Sequence, residues 1–212
     1  MDKRGKFIVF EGGEGSGKDT QIARLKELYS SRTDIIFTRE PGGTNIGEQI
    51  RGLLMSHNTS NMDVQGEMLL FLAARAQLIG EVIAPALKAG KHVICNRFGL
   101  STIAYQIYGR ERQPYMDFLR QLNSFVVGEY IPDACILLDV TPSIGIERTK
   151  NRAGAATRFD TEALAFHERV REGYTKHIAE FGTPFIIDAD KPLEDVWNEV
   201  REAVQSVIPP MI

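Results

Sequence analysis

One segment constrains this chain more than any other. Glu11-Gly12-Gly13-Glu14-Gly15-Ser16-Gly17-Lys18-Asp19-Thr20 lies between a short apolar run, Phe7 to Phe10, and a helical pattern that begins at once, Lys18 to Tyr29. Glycines at 12 and 17 followed by Lys18, in strand, loop, helix order, form a phosphate-binding loop. The backbone curls so that successive N–H groups face one anion, and the positive end of the next helix adds to them. Gly12 to Thr20 therefore forms the expected ATP cradle, with Lys18 reaching the outer phosphates.

The rest of the chain reads as a frame for that loop. Short β-rich runs at Phe7 to Phe10, Ile35 to Thr38, His92 to Cys95, Cys135 to Val140 and Pro184 to Ile187 are apolar on both faces, as strands covered by helices must be. Between them lie helical patterns at Lys18 to Tyr29, Ile46 to Met55, Glu67 to Lys88, Tyr115 to Val127, Pro142 to Lys150, Thr161 to Glu180 and Pro192 to Val207. This alternation predicts an α/β fold of the P-loop NTPase type: a parallel five-stranded sheet, helices on both faces and a short lid. At 212 residues one domain spanning 1–212 is expected. The Ala-Gly-Ala-Ala stretch within Arg152 to Thr157, flanked by basic residues, marks a lid at about 148–160.

A net charge of -3 argues against broad neutralisation of a nucleic-acid backbone and leaves small anions as partners. Cys95 and Cys135 sit in apolar runs and read as buried free thiols. His57, His92, His167 and His177 lack metal-ligand spacing and read as structural or exposed. The charged N-terminus precedes no long apolar segment, and no stretch is expected to approach the roughly 18 apolar residues of a membrane span. A cytoplasmic location is the corresponding expectation.

The metal site departs from the usual pattern. A Ser or Thr normally follows the P-loop lysine and holds magnesium, but here Asp19 follows it, with Thr20 next. At the end of the third strand, where P-loop enzymes supply an acid to the metal, the chain has Asn96, then Arg97 and Phe98. The acid is read as having moved across the site to Asp19, with Asn96 in the outer shell and Glu11 as a further candidate near the metal.

The second strand ends in Thr38-Arg39-Glu40-Pro41-Gly42-Gly43-Thr44, and the helix after it carries Arg51. Leu70-Phe71-Leu72-Ala73-Ala74-Arg75 lies on the next helix, and Ser101-Thr102-Ile103-Ala104-Tyr105-Gln106 follows Asn-Arg-Phe. A nucleotide acceptor needs cations for its phosphate, a flat apolar surface for its base and polar groups for the base edge. Arg51 and Arg97 suit the phosphate. Phe71 and Arg75, one helical turn apart, suit a base and its carbonyl edge.

With the P-loop, these motifs resemble the thymidylate kinase family in order and separation, over nearly the whole chain through Leu138-Asp139-Val140-Thr141-Pro142 and Ile187-Asp188-Ala189. The resemblance implies transfer of a phosphoryl group from ATP to dTMP with Mg2+, and a homodimer that pairs through the helices between Phe98 and Val127. It implies that Arg39, Glu40, Ser101, Thr102 and Gln106 lie around the acceptor, that Pro41 and Leu54 line the base pocket, and that Tyr105 abuts the deoxyribose. Glu14 matches an acid that holds the 3′-hydroxyl. Gly15 stands where some members carry a catalytic arginine, which implies the class using lid arginines: Arg152 first, then Arg148 and Arg158. The competing readings are a kinase for another acceptor, such as dUMP or a deoxynucleoside, and a nucleotide-binding switch that performs no transfer.

Overall fold

Apolar runs with alternating faces build the sheet. The computed structural model describes residues 4–59, 61–150, 157 and 159–208. Its strands are β1 (Phe7–Glu11), β2 (Ile35–Arg39), β3 (His92–Asn96), β4 (Ala134–Asp139) and β5 (Thr183–Asp188), all parallel, in the order β2-β3-β1-β4-β5. Along β1, Phe7 and Val9 enter one hydrophobic cluster while Ile8 and Phe10 enter the other, so each face of the sheet seeds a separate core layer. The register pairs Phe10 with Asn96 and Glu11 with Leu137, which brings the carboxyl ends of the three central strands together. Ligand sites in such sheets lie outside those ends.

The helices are α1 (Lys18–Leu28), α2 (Asn45–Met55), α3 (Val64–Leu78), α4 (Ala84–Lys88), α5 (Gly99–Thr102), α6 (Met116–Val127), α7 (Pro142–Lys150), α8 (Leu164–His177) and α9 (Leu193–Val207). Three differ from the sequence expectation. α3 starts before Glu67 because the Asp63 side chain accepts a hydrogen bond from the Gln65 N–H and caps the helix. It reaches α4 through a wide π turn, Ile79–Ile83. α8 starts at Leu164 rather than Thr161. α5, absent from the expectation, runs into a second π segment, Ile103–Gly109, that packs against α8. Single π turns inside α-helices recur at functional sites.

The helical run Val64–Lys88 also corrects the expectation about membrane-length segments. It spans 25 residues, and its most apolar window has a mean hydropathy of 1.5, enough in length and composition to cross a bilayer. Its apolarity has another cause: Leu72, Leu78, Ile83 and Leu87 belong to the core on one side of the sheet.

α7 packs directly on the P-loop. A Cβ on Gly15 would lie 2.1 Å from the Gly145 carbonyl oxygen, and a Cβ on Gly145 would lie 2.3 Å from the Glu14 carbonyl oxygen. Two glycines thus set how closely α7 approaches the P-loop. Gly145→Ala is expected to lower stability by about 1–3 kcal/mol, because backbone rather than a flexible side chain must shift. Gly52→Ala, on an open face of α2 with no atom within 4 Å, should gain about 0.5–1 kcal/mol from helix propensity. Urea midpoints of the two variants check the contrast.

Candidate active site

The P-loop follows β1 and bends through left-handed glycines at Gly15 and Gly17, with φ of 67° and 85°. Gly17 is the N-cap of α1, so Lys18 enters the helix with its ammonium folded back over the loop. Its Nζ donates to the carbonyls of Gly12 at 2.8 Å and Gly13 at 2.9 Å and to Ser16 Oγ at 3.0 Å. Burial pushes the Lys18 ammonium down to about 7, helped by the Arg97 charge and opposed by Glu14, Asp19 and Glu11. A phosphate at the cradle favours the charged form again.

Beside the loop, Asn96 at the end of β3 donates from Nδ2 to Asp19 Oδ1 at 2.7 Å. Glu11 does not join them. It is fully buried, and its carboxylate accepts from the N–H groups of Phe98 at 2.8 Å and Ser101 at 3.2 Å and from Ser101 Oγ at 2.5 Å. Glu11, a further candidate near the metal in the sequence reading, commits its oxygens to the start of α5.

That anchoring shapes Arg97, whose φ of 69° is unusual for a residue with a side chain. The Arg97 N–H donates to the Phe10 carbonyl at 2.8 Å. Its guanidinium then serves five partners: the Gly12 carbonyl at 3.1 Å, Ser101 Oγ at 3.2 Å, Tyr174 Oη at 2.7 Å, Glu14 Oε1 at 3.0 Å and Tyr105 Oη at 3.3 Å. Tyr105 Oη also donates to Glu14 Oε1 at 2.7 Å. Burial acts to raise the Glu14 carboxyl, but the charges of Arg97 and Lys18 hold it below the usual range. Tyr174, on α8, has no sequence signal that would mark it, since its partner Arg97 is 77 positions away.

These groups open onto a cleft of about 910 Å³. One wall contains Arg39, Glu40, Pro41, Arg51, Phe71 and Tyr105, together with Ser101 and Arg97, the residues expected around the acceptor. Arg39 is paired with Glu48, whereas Arg51 donates to the Pro41 carbonyl at 3.0 Å and has no ion pair among the described residues. Burial, then the Arg39 charge, lowers the Arg51 guanidinium, so an anion between them would be welcome. Met55, which the sequence reading overlooks, lines the cleft, while the expected Leu54 is fully buried behind it.

Arg75, Thr102 and Gln106, also expected around the acceptor, are buried behind this wall and do not line the cleft. Arg75 is 1% exposed, and its guanidinium grips Glu40 through Nε at 3.0 Å and Nη2 at 2.7 Å while donating to Thr102 Oγ1 and Asn123 Oδ1. Burial raises the Glu40 carboxyl and the Arg75 charge draws it back. Gln106 Nε2 donates to the buried Glu67, leaving Gln106 Oε1 without a partner among the described residues. At the opposite end, Arg148 donates to the Ala189 carbonyl at 2.8 Å, and Lys191, Leu193 and Val196 extend the cleft. Arg152 and Arg158 lie outside the described residues.

Two expectations test this arrangement. Arg75→Met leaves Glu40 buried without its countercharge and should cost about 3–5 kcal/mol, and adding Glu40→Gln should recover much of it. A loss below about 1 kcal/mol by urea denaturation would remove the pair as organiser of this wall. The second concerns His167, on α8, whose buried Nε2 has no partner among the described residues. Burial holds its imidazole below the ordinary 6.5, with Glu14, Glu162 and Asp160 opposing in part. The unfolded chain therefore protonates first as pH falls, and stability should drop beneath about pH 6.5. His167→Gln should flatten part of that decline in urea midpoint.

Comparison with known proteins agrees with this geometry. The thymidylate kinase family model matches residues 10–200. A thymidylate kinase of Magnetococcus marinus is 43% identical over 204 residues, covering 93% of this chain and 96% of that protein. One of Desulfovibrio desulfuricans is 44% identical over 210 residues, covering 95% and 96%. The crystal structure of thymidylate kinase from Ehrlichia chaffeensis superposes with a TM-score of 0.75 at 33% identity, over 95% of this chain and 99% of that one. A P-loop, an arginine-lined acceptor wall and a match in sequence and fold along almost the full length converge: the chain belongs to the thymidylate kinase family.

Proposed function

We propose that this protein is an ATP:dTMP phosphotransferase, an enzyme that moves the γ-phosphoryl group of ATP to the phosphate of dTMP and releases ADP and dTDP. The observation that carries the reading is the junction of the cleft. Arg97, paired with Glu14, lines the same cleft as the Lys18 cradle, Arg51 and Phe71, and its charge is felt by both Lys18 and Arg51. A donor phosphate at the cradle and an acceptor phosphate at Arg51 and Arg97 would meet there. The acceptor is already an ionised phosphate, so positioning and charge neutralisation suffice and no general base is needed. Phe71 offers the base a flat apolar face, and Tyr105 with Glu14 fits the sugar, whose 3′-hydroxyl can donate to the carboxylate. Arg75, Thr102 and Gln106 support that pocket from behind, Arg75 by holding Glu40 in the wall and Gln106 through the buried Glu67.

Transition-state charge is assigned to the lid arginines: Arg148 at the cleft and, by sequence, Arg152 and Arg158. Gly15 supports this assignment, since a side chain there would run into Gly145. Mg2+ fits beside Asp19 and Asn96: a carboxylate suits a hard cation, and Asn96 Oδ1 is a buried acceptor with no donor among the described residues. Bound with ATP, the ion would neutralise charge on the phosphates. A homodimer is supported by exposed apolar residues on α3 and α6, Leu69, Phe118 and the 86% exposed Phe125.

ADP release from ATP and Mg2+ is expected to depend on dTMP and to fall at least about 10-fold with dUMP, dCMP, dGMP or thymidine, about 1.4 kcal/mol of discrimination. Release driven better by another acceptor would reassign the pocket, and ATP binding without release for any acceptor would favour a nucleotide-binding switch.

A further inference from the structure

We infer that Asp19 and Asn96 form a transposed metal site, in which the carboxylate that P-loop enzymes place at the strand end has moved to the first turn of α1 and the strand end has become its neutral partner. This rests on the magnesium-dependent reading of the cleft. The usual pair is a hydroxyl after the P-loop lysine and a carboxylate on the strand. Here the same two positions hold a carboxylate and an amide, joined by the 2.7 Å hydrogen bond from Asn96 Nδ2 to Asp19 Oδ1. Either arrangement has one negative charge and one hydrogen bond between the positions, so the charge presented to a metal–nucleotide complex is conserved while its origin is exchanged.

The orientation of Asn96 supports this assignment. With Nδ2 committed to Asp19, Oδ1 is buried and accepts from no described protein atom. Buried acceptors are rarely left so, and a water bound to a metal is a strong donor. The bond also fixes Asp19, which lines the cleft and would otherwise be a freely rotating acid on an exposed helix start. Asp19 alone would satisfy the preference of a helix N-terminus for an acid; the orphaned Asn96 oxygen is what that preference does not account for.

The two positions should consequently be exchangeable together and not singly. Asp19→Thr removes the site's carboxylate. Asn96→Asp sets two carboxylates in hydrogen-bonding distance and repels the phosphates. Asp19→Thr/Asn96→Asp restores the usual order. The primary readout is Mn2+ affinity for the protein–ATP complex, followed by electron paramagnetic resonance, with kcat against Mg2+ concentration beside it. Asp19→Thr and the isosteric Asp19→Asn are expected to weaken Mn2+ binding about 10–100-fold, and the double variant to return within about 3-fold of the parent. Thermal melts identify any variant that fails to fold, for which Asp19→Asn stands in. Unchanged Mn2+ affinity in Asp19→Asn, or a double variant no better than Asp19→Thr, would overturn the transposition. If the parent turned over dTMP equally in EDTA, the magnesium reading itself would fall and the transposition with it.

Discussion

The buried carboxylate of Glu11 is the point on which the site depends. At the end of the central strand it takes the N–H groups of Phe98 and Ser101 and the Ser101 hydroxyl, turning a strand end and a helix start into one rigid corner. Arg97, between them, is held in a left-handed conformation that its side chain would not choose freely. From that corner its guanidinium reaches the P-loop, α8 and the Glu14–Tyr105 pair. Burial opposes the charge on Glu11, while the Ser101 hydrogen bond, the Arg97 charge and the Phe98 N–H favour it. The carboxylate and its partners thus make sense only together.

The same logic of buried, mutually satisfied charge recurs behind the acceptor wall. Glu40 and Arg75 are both almost fully enclosed, an arrangement that gives little net stability but strongly penalises losing one partner. Their value lies in fixing a geometry: Thr102 and Asn123 are drawn to the same guanidinium, so α3, α5, α6 and the loop after β2 share one polar anchor beneath the pocket.

The P-loop, the five strands and their parallel arrangement were legible in the sequence because each is a local signal: glycines at fixed spacing, or a short apolar run. The acceptor wall was less so. Phe71 and Arg75 share a helical face, and that spacing is visible, but whether Arg75 spends its donors on a ligand or on Glu40, 35 positions away, is decided by tertiary packing. Leu54 and Met55 are adjacent, and only the rotation of α2 selects which faces the cleft. α5 escaped the sequence reading because its π segment breaks the 3.6-residue period by which helices are recognised. Asp63 as a cap and Tyr174 as a partner of Arg97 likewise depend on neighbours that no pattern names.

The contact between Gly15 and Gly145 also bears on how such enzymes can diverge. A lineage that gained an arginine at position 15 would have to displace α7. One that moved α7 first would loosen the packing of its phosphate loop before gaining anything in return. A steric barrier in sequence space therefore stands between this chain and an arginine at position 15, and both glycines help to keep that position closed to a side chain.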